Sequence, residues 1–294
     1  FSMMWWALGL GVLLGGIIDR FLPQTHIRYF LARHKKRTIL YAVLLGFLMS
    51  VCSHGILAIA AELYKKKACP SSIIALLLAA PWSNMSITLL LIAFFGLKAF
   101  IIIGISICVA IVTGLCFQVL ETKGLIGEHH PHGDEEAPES LLQDFKQRWS
   151  QYTLSKSQLL VDIKVIWQAM KNLFDMVGWW VVLGMLLASL AAFLVPHGFM
   201  AQYMGPSLLG LLTTLGLATV VEVCSEGTAP LAFELYQQTH AFGNVLVFLM
   251  AGVATDYTEI AVLWSVMGKR VALWMVALTV PQIVAWGYVV NLWL

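Results

Sequence analysis

Eight long apolar segments, roughly 3–18, 39–64, 72–95, 98–120, 173–195, 206–237, 244–267 and 271–294, limit this chain more than any other feature. A membrane-crossing helix needs about 20 mainly apolar residues. Hydrophobic residues make up 60% of the sequence and charged residues only 12%. Soluble domains average about 45–50% and 25%. Too few polar side chains remain to cover a soluble core, so lipid must cover it. In lipid the backbone must satisfy its own polar groups, which favours helices. The chain is read as an all-α integral membrane protein. Met3 to Ile18 lacks a basic leader and a small-residue cleavage site, and is read as a span, not a signal peptide.

The segments repeat. Cys52-Ser-His-Gly55 aligns with Cys224-Ser-Glu-Gly227 at an offset of 172 residues. The register then holds without gaps. Ala60, Glu62, Leu63 and Tyr64 fall on Ala232, Glu234, Leu235 and Tyr236; Ser83-Asn84 falls on Thr255-Asp256; Gly96 falls on Gly268. Two repeats are expected, 1–120 and 173–294, around a polar stretch, 121–172. That stretch holds the His- and acid-rich run from Glu128 to Glu136, expected to be a solvated loop, and a candidate amphipathic helix over 138–171.

Basic residues decide how the repeats cross. The 19–38 connection carries six, 65–71 three, the turn near 97 one, the central stretch six and 268–270 two. If every segment crosses, each side receives nine and no orientation is favoured. If 39–64 and 206–237 are re-entrant hairpins, one side receives seventeen and the other only Lys98. The expected fold is therefore two inverted structural repeats, each with three crossing helices and a re-entrant helical hairpin, the basic side being cytoplasmic. Transporters use this plan and place substrate at the midplane, where helices are broken. The expected breaks are Ser53 and Gly55, Ser225 and Gly227, Pro81-Trp-Ser-Asn84, and Thr255-Asp-Tyr-Thr258.

Ionisable groups at such depth are costly and point to function. Cys52, His54, Cys224 and Glu226 combine thiol, imidazole and carboxylate, a ligand set for Cu(I), Zn²⁺ or trivalent arsenic. Ser53, Asn84, Ser225, Glu222, Asp256 and Glu259 are candidates for lining the site or carrying a coupling proton. His129, His130 and His132 could capture metal in the loop, but solvation explains them as well. Glu62 and Glu234 are read as structural or interfacial. Cys69, Cys108 and Cys116 are read as small apolar residues. Five cysteines without a CxxC pair exclude a disulfide framework. No GxxxxGK[ST] frame and no basic–aromatic nucleic-acid patch is present, and no cofactor is called for.

Val51-Cys-Ser-His-Gly-Ile-Leu-Ala-Ile-Ala60, Glu62-Leu-Tyr-Lys-Lys66 and Leu78-Ala-Ala-Pro-Trp-Ser-Asn84 resemble the predicted-permease family that includes the ArsP-type organoarsenical efflux permeases. Glu222-Val-Cys-Ser-Glu-Gly-Thr-Ala-Pro230, Phe248-Leu-Met-Ala-Gly252 and Thr255-Asp-Tyr-Thr-Glu259 resemble its second repeat. The resemblance implies an inner-membrane exporter of metal or metalloid, with Cys52 and Cys224 at paired motif positions. Many members carry Cys-Ser-Cys where this chain has His54, which tilts the expectation from a thiol-only arsenic site toward a metal cation.

The expected function is a multi-pass permease, not an enzyme, exporting a thiophilic metal, metalloid or small organometalloid in exchange for protons. Its partners are lipid and the transported ion, with no nucleic acid; a homo-oligomer is compatible with such a chain. The alternatives are a transporter of an organic anion or other non-metal solute, and an intramembrane enzyme with a cysteine nucleophile and His54. The hairpin expectation predicts that cysteines introduced at positions 34 and 66 label from the same membrane face. Labelling from opposite faces refutes it.

Overall fold

An apolar backbone in lipid has few options besides the helix, and every regular element of the computed structural model is helical. It describes residues 31, 36–49, 53–65, 67–83, 85–126, 164, 167–168, 171, 175, 203–221 and 225–294, with the backbone alone at 48–49, 53–55, 83, 85–86, 89–90, 225–227 and 230. The expected spans 3–18 and 173–195 lie largely outside this set, and so does the His-rich run. In the candidate amphipathic stretch, Lys164, Trp167, Gln168 and Lys171 are helical and exposed.

The first set of helices is α1 (Lys36–Met49), α2 (Ser53–Lys65), α3 (Pro70–Ala79), α4 (Met85–Phe95) and α5 (Ala99–Thr122). Short 3-10 turns at Ala80–Ser83 and Gly96–Lys98 flank α4. The second set is α6 (Leu208–Val221), α7 (Ser225–Thr239), α8 (Phe242–Ala254), α9 (Tyr257–Met267) and α10 (Lys269–Trp293). The starts of α1 and α6, α2 and α7, α3 and α8, and α4 and α9 are each 172 residues apart (36 to 208, 53 to 225, 70 to 242, 85 to 257). The interval found in the sequence is also the interval of the described helices.

Helices α3 and α8 are the centres of their sets, and every residue of each is buried. Helix α3 is wrapped by α1, α2 and α5; helix α8 is wrapped by α6, α7 and α10. Small residues permit the closest approaches. A Cβ added to Gly243 on α8 would lie 2.0 Å from the Gly287 carbonyl oxygen on α10, and one on Gly46 would lie 2.7 Å from the Leu76 carbonyl oxygen. Lipid offers little hydrophobic drive for helix association, so such close packing carries it. Large apolar side chains face outward instead: Leu40, Tyr41 and Leu44 on α1, Leu208 and Leu209 on α6, Leu273 and Leu292 on α10.

Hydrogen bonds fix which ends meet. The Cys69 N–H donates to the Leu31 carbonyl at 3.0 Å, and the Ala68 N–H donates to the Leu63 carbonyl at 3.0 Å. Glu121 accepts from the Ser71 N–H at 2.8 Å and the Ser71 hydroxyl at 2.9 Å. The approach to α1, the end of α2, the start of α3 and the end of α5 therefore gather at one end. The Gly96–Lys98 turn is left at the other. The second set gathers likewise. Asn244 Nδ2 donates to the Met204 carbonyl at 2.9 Å, and the Gly243 N–H donates to Asn291 Oδ1 at 2.7 Å. Ser71 and Gly243 are equivalent positions (71 to 243 is 172). Cys69 and Ala241, the N-caps of α3 and α8, supply no side-chain cap; Glu121 and Asn291 from the last helix of each set do so instead.

The two sets meet where α2 packs on α9, α4 on α7, and α5 on α10. The first two pairs are one contact with the roles exchanged, and the third joins equivalent helices. The Gly96–Lys98 turn sits against the α7–α8 connection: Lys98 Nζ donates to the Tyr236 hydroxyl at 3.1 Å. The far end of the first set is thus level with the end where the second set gathers.

Helices α3 and α8 have 10 and 13 residues. At about 1.5 Å per residue they reach only ~15–20 Å, short of a ~30 Å hydrocarbon core. Each is interrupted and continues as an 11-residue helix, α4 or α9. Phe242–Met267 as a whole is long and apolar enough to cross a membrane, as are Leu91–Thr122 and Lys269–Trp293. The interruption at Thr255–Asp256 falls near the middle of the Phe242–Met267 stretch. It is shorter than expected, because Tyr257 and Thr258 already belong to α9.

Gly243→Ala should destabilise the protein by about 1–3 kcal/mol through overpacking, read as a lowered Tm in detergent. Gly104→Ala, where a Cβ meets nothing within 4 Å, should leave the Tm unchanged or raise it.

Candidate functional site

Helix α8 ends at Ala254, and Asp256 starts α9 as its N-cap. Its Oδ1 accepts from the Thr258 N–H at 2.6 Å and the Glu259 N–H at 2.9 Å, and also from the Thr258 hydroxyl. A carboxylate suits this end of a helix, whose free N–H groups carry partial positive charge. Thr255 donates its hydroxyl to the Ala251 carbonyl at 2.7 Å, and pairs with the Thr219 hydroxyl of α6 at 2.9 Å. On the other side, a Cβ on Gly252 would meet Thr228 of α7 at 3.8 Å. Thr219 and Thr228 thus bring the end of α6 and the start of α7 against one stretch, 251–255.

Glu259 is different in kind from Asp256. It is 0% exposed, and neither carboxyl oxygen has a hydrogen-bond partner among the described residues. An ionised carboxylate left so would cost several kcal/mol. Packing does not demand it, because the equivalent position (259 less 172) is Ile87, also fully buried. The second set keeps a carboxyl where the first keeps a hydrocarbon. Such a group is suited to holding a proton or meeting a cation.

The first set presents its own break at Ala80–Ser83, which α1, α2 and α3 contact. Helix α2 returns from this level toward Ala68, so its first turn lies beside the break. The starts of α2, α7 and α9 therefore come to the breaks with first-turn N–H groups that have no intrahelical partner.

Among the expected site residues, the structure brings Asp256 and Glu259 together in the cap and first turn of α9. Ser53 and His54 open α2, and Ser225 and Glu226 open α7; their backbones alone are described. Cys52, Asn84, Glu222, Cys224, His129, His130 and His132 lie outside the described residues. Among the described residues no three His, Cys, Asp or Glu side chains form a metal-holding group. Thr219 and Thr228 were not foreseen: a threonine in an apolar helix commonly bonds its own backbone, as Thr219 also does to the Leu215 carbonyl at 2.9 Å. Glu62 accepts from Lys65 Nζ at 2.6 Å and Glu234 from Gln238 Nε2 at 2.8 Å, in line with structural roles. Cys69 is buried at the gathered end, where burial and then the Glu121 charge push its thiol up to about 12. Such a thiol is protonated at neutral pH.

A family model of ArsP type, described as predicted permease, matches residues 2–292. UPF0718 protein YcgR of Bacillus subtilis (strain 168) is 22% identical over 287 residues, covering 96% of this chain and 91% of its own. A Streptococcus mutans protein, provisionally described as a two-component membrane permease complex subunit, is 24% identical over 247 residues, covering 84% of this chain and 77% of its own. No solved structure matches.

The division of labour at α9 has a direct consequence. Asp256→Ala should lower stability by about 1–2 kcal/mol through loss of the cap. Glu259→Ile should hold or raise it, because an unpaired buried carboxyl is removed. Thermal unfolding of the two variants in detergent measures both.

Proposed function

This chain belongs to the predicted-permease family, and on that premise we propose that it exports a thiophilic metal or metalloid species across the inner (cytoplasmic) membrane, as a proton-coupled secondary transporter. The observation that carries the proposal is Glu259: a fully buried carboxyl without a hydrogen-bond partner among the described residues, in the first turn of a helix that starts midway along an apolar stretch long enough to cross. In this reading 1–120 and 173–294 are inverted repeats and 121–172 is a cytoplasmic connection. Two features support the inversion: the return of α2 to the end where α1 begins, and the contact of Lys98 with Tyr236. The described basic residues of the connections agree with it. Lys36, Arg37, Lys65, Lys67, Lys123, Lys269 and Arg270 fall at one end in this reading, and Lys98 at the other.

Cys52, His54, Cys224 and Glu226 would hold the substrate. Ser53, Asn84, Ser225, Glu222 and Asp256 would line the site, and Glu259 would carry the coupling proton. The support is positional: Ser53–His54 and Ser225–Glu226 open the helices whose starts reach the two breaks. Binding at thiols releases protons, and a neighbouring carboxyl can accept one. His129, His130 and His132 would at most gather metal on the cytoplasmic side.

One observation favours a second reading. The start of α9 is already capped by Asp256, but those of α2 and α7 come toward the breaks, and helix N-termini favour negative charge. A small organic anion would exploit them, and anion-dependent thermal stabilisation without any response to soft metals would select that reading.

The main test is flux in everted vesicles. Cys52→Ser and Cys224→Ser should each lower soft-metal uptake by about tenfold or more, the effect of losing a thiolate ligand. Glu259→Gln should remove the response to an imposed pH gradient. Unchanged transport of every soft metal tried, in both cysteine variants, refutes the site.

A further inference from the structure

We propose that an aromatic clasp between α4 and α7 is the gate that closes the candidate site from the lysine-poor end, and that the exchange-related α2–α9 contact is the looser gate. The inference rests on the transporter reading above. The Phe94 and Phe233 rings stack at 4.8 Å with 17° between their planes. Phe95 meets Phe233 and Tyr236 edge-on at 5.9 Å, and Phe242 at 5.7 Å. Lys98 completes the clasp. Its Nζ bonds the Tyr236 hydroxyl at 3.1 Å and lies 5.5 Å from the Tyr236 and Phe242 ring centres. Ring stacking, edge contacts and a cation over two rings are each attractive beyond simple burial.

The clasp is placed to control access. Thr228 of α7 faces Gly252, just before the Thr255–Asp256 break, where an added Cβ would meet it at 3.8 Å. Tyr236 is eight residues further along the same helix, about 12 Å at 1.5 Å per residue. The rings therefore stand between the break and the lysine-poor end.

Symmetry supplies the comparison. Shifted by 172 residues, Phe233, Phe94, Phe95 and Phe242 correspond to Ala61, Val266, Met267 and Pro70. Only Tyr236 keeps a ring, at Tyr64, and Lys98 corresponds to Arg270. At these positions the interface carries five rings on one side of the two-fold and only Tyr64 on the other. Hinges are present on both sides. Helices α4 and α9 each end at a glycine with positive φ, Gly96 at 58° and Gly268 at 96°, and a Cβ at either meets nothing within 4 Å. A helix with such a joint can swing against its successor, as gating elements do. The stickier interface stays shut more of the time, so the resting population favours access from the lysine-rich end.

The test reads accessibility rather than transport. Full-length protein carrying Thr228→Cys is placed in vesicles of both orientations and treated with a membrane-impermeant maleimide. Labelling at position 228 is read by peptide mass, so the native cysteines remain. From the lysine-poor face, adding Phe233→Ala should speed labelling by about tenfold or more, as expected for a shifted two-state population. Phe233→Tyr, which restores a ring, should keep it slow. Phe233→Leu replaces Phe233→Ala if the alanine variant does not fold. Equal rates from that face with and without the ring, in variants whose unfolding is unchanged, overturn the gate. So does fast labelling in the Phe233→Tyr variant. If the labelling follows the clasp but no soft metal is transported, the substrate reading fails and the gate stands.

Discussion

A helix can stop inside lipid only if something else satisfies the N–H and C=O groups it leaves open. This fold is organised around that requirement. Helices α3 and α8 are each too short to cross alone, and the break after α8 is answered by partners. Asp256 caps α9 from within. At the opposite ends, Glu121 and Asn291 cap the starts of α3 and α8 from a distant helix. Thr219 and Thr255 bind one another while each also donates to, or shares, a backbone carbonyl. These partners come from different parts of the chain, so the breaks are sustained by the assembled bundle and not by local sequence.

Duplication makes this affordable. One helical plan, recurring at an interval of 172 residues, surrounds each described break with protein. The copies have since diverged in chemistry while keeping their geometry. Glu121 and Asn291 act on equivalent N–H groups from slightly different positions. Ile87 and Glu259 are equivalent and equally buried, yet one is hydrocarbon and the other a carboxyl. The α4–α7 and α2–α9 contacts are equivalent in placement but aromatic in one case and mainly aliphatic in the other. A repeated frame with unlike side chains leaves the two contacts alike in placement and unlike in chemistry.

The sequence revealed the frame better than the site. Apolar runs and the 172-residue interval marked the described helices, because lipid imposes length and hydrophobicity directly on the chain. Pro81 and Asp256 marked the breaks, because proline and a capping carboxylate have local effects. The unequal roles of Asp256 and Glu259 were not legible. Both are acids three residues apart, and only packing shows that one carboxyl caps the helix while the other has no hydrogen-bond partner among the described residues. Thr219 and Thr228 were missed for the same reason, as their importance comes from the stretch they touch. Of Cys52 and Cys224, which the motif singles out, the described residues say nothing.

What the residues decided alone is membership of lipid, helicity, the doubled plan and the candidate chemistry, because these follow from transfer free energy, backbone hydrogen bonding and side-chain type. What only the folded arrangement decided is which ends meet, which helices pack between the sets, and which buried carboxyl lacks a partner among the described residues. Those depend on contacts between residues as far apart as Lys98 and Tyr236, and no local pattern encodes a distance of that kind.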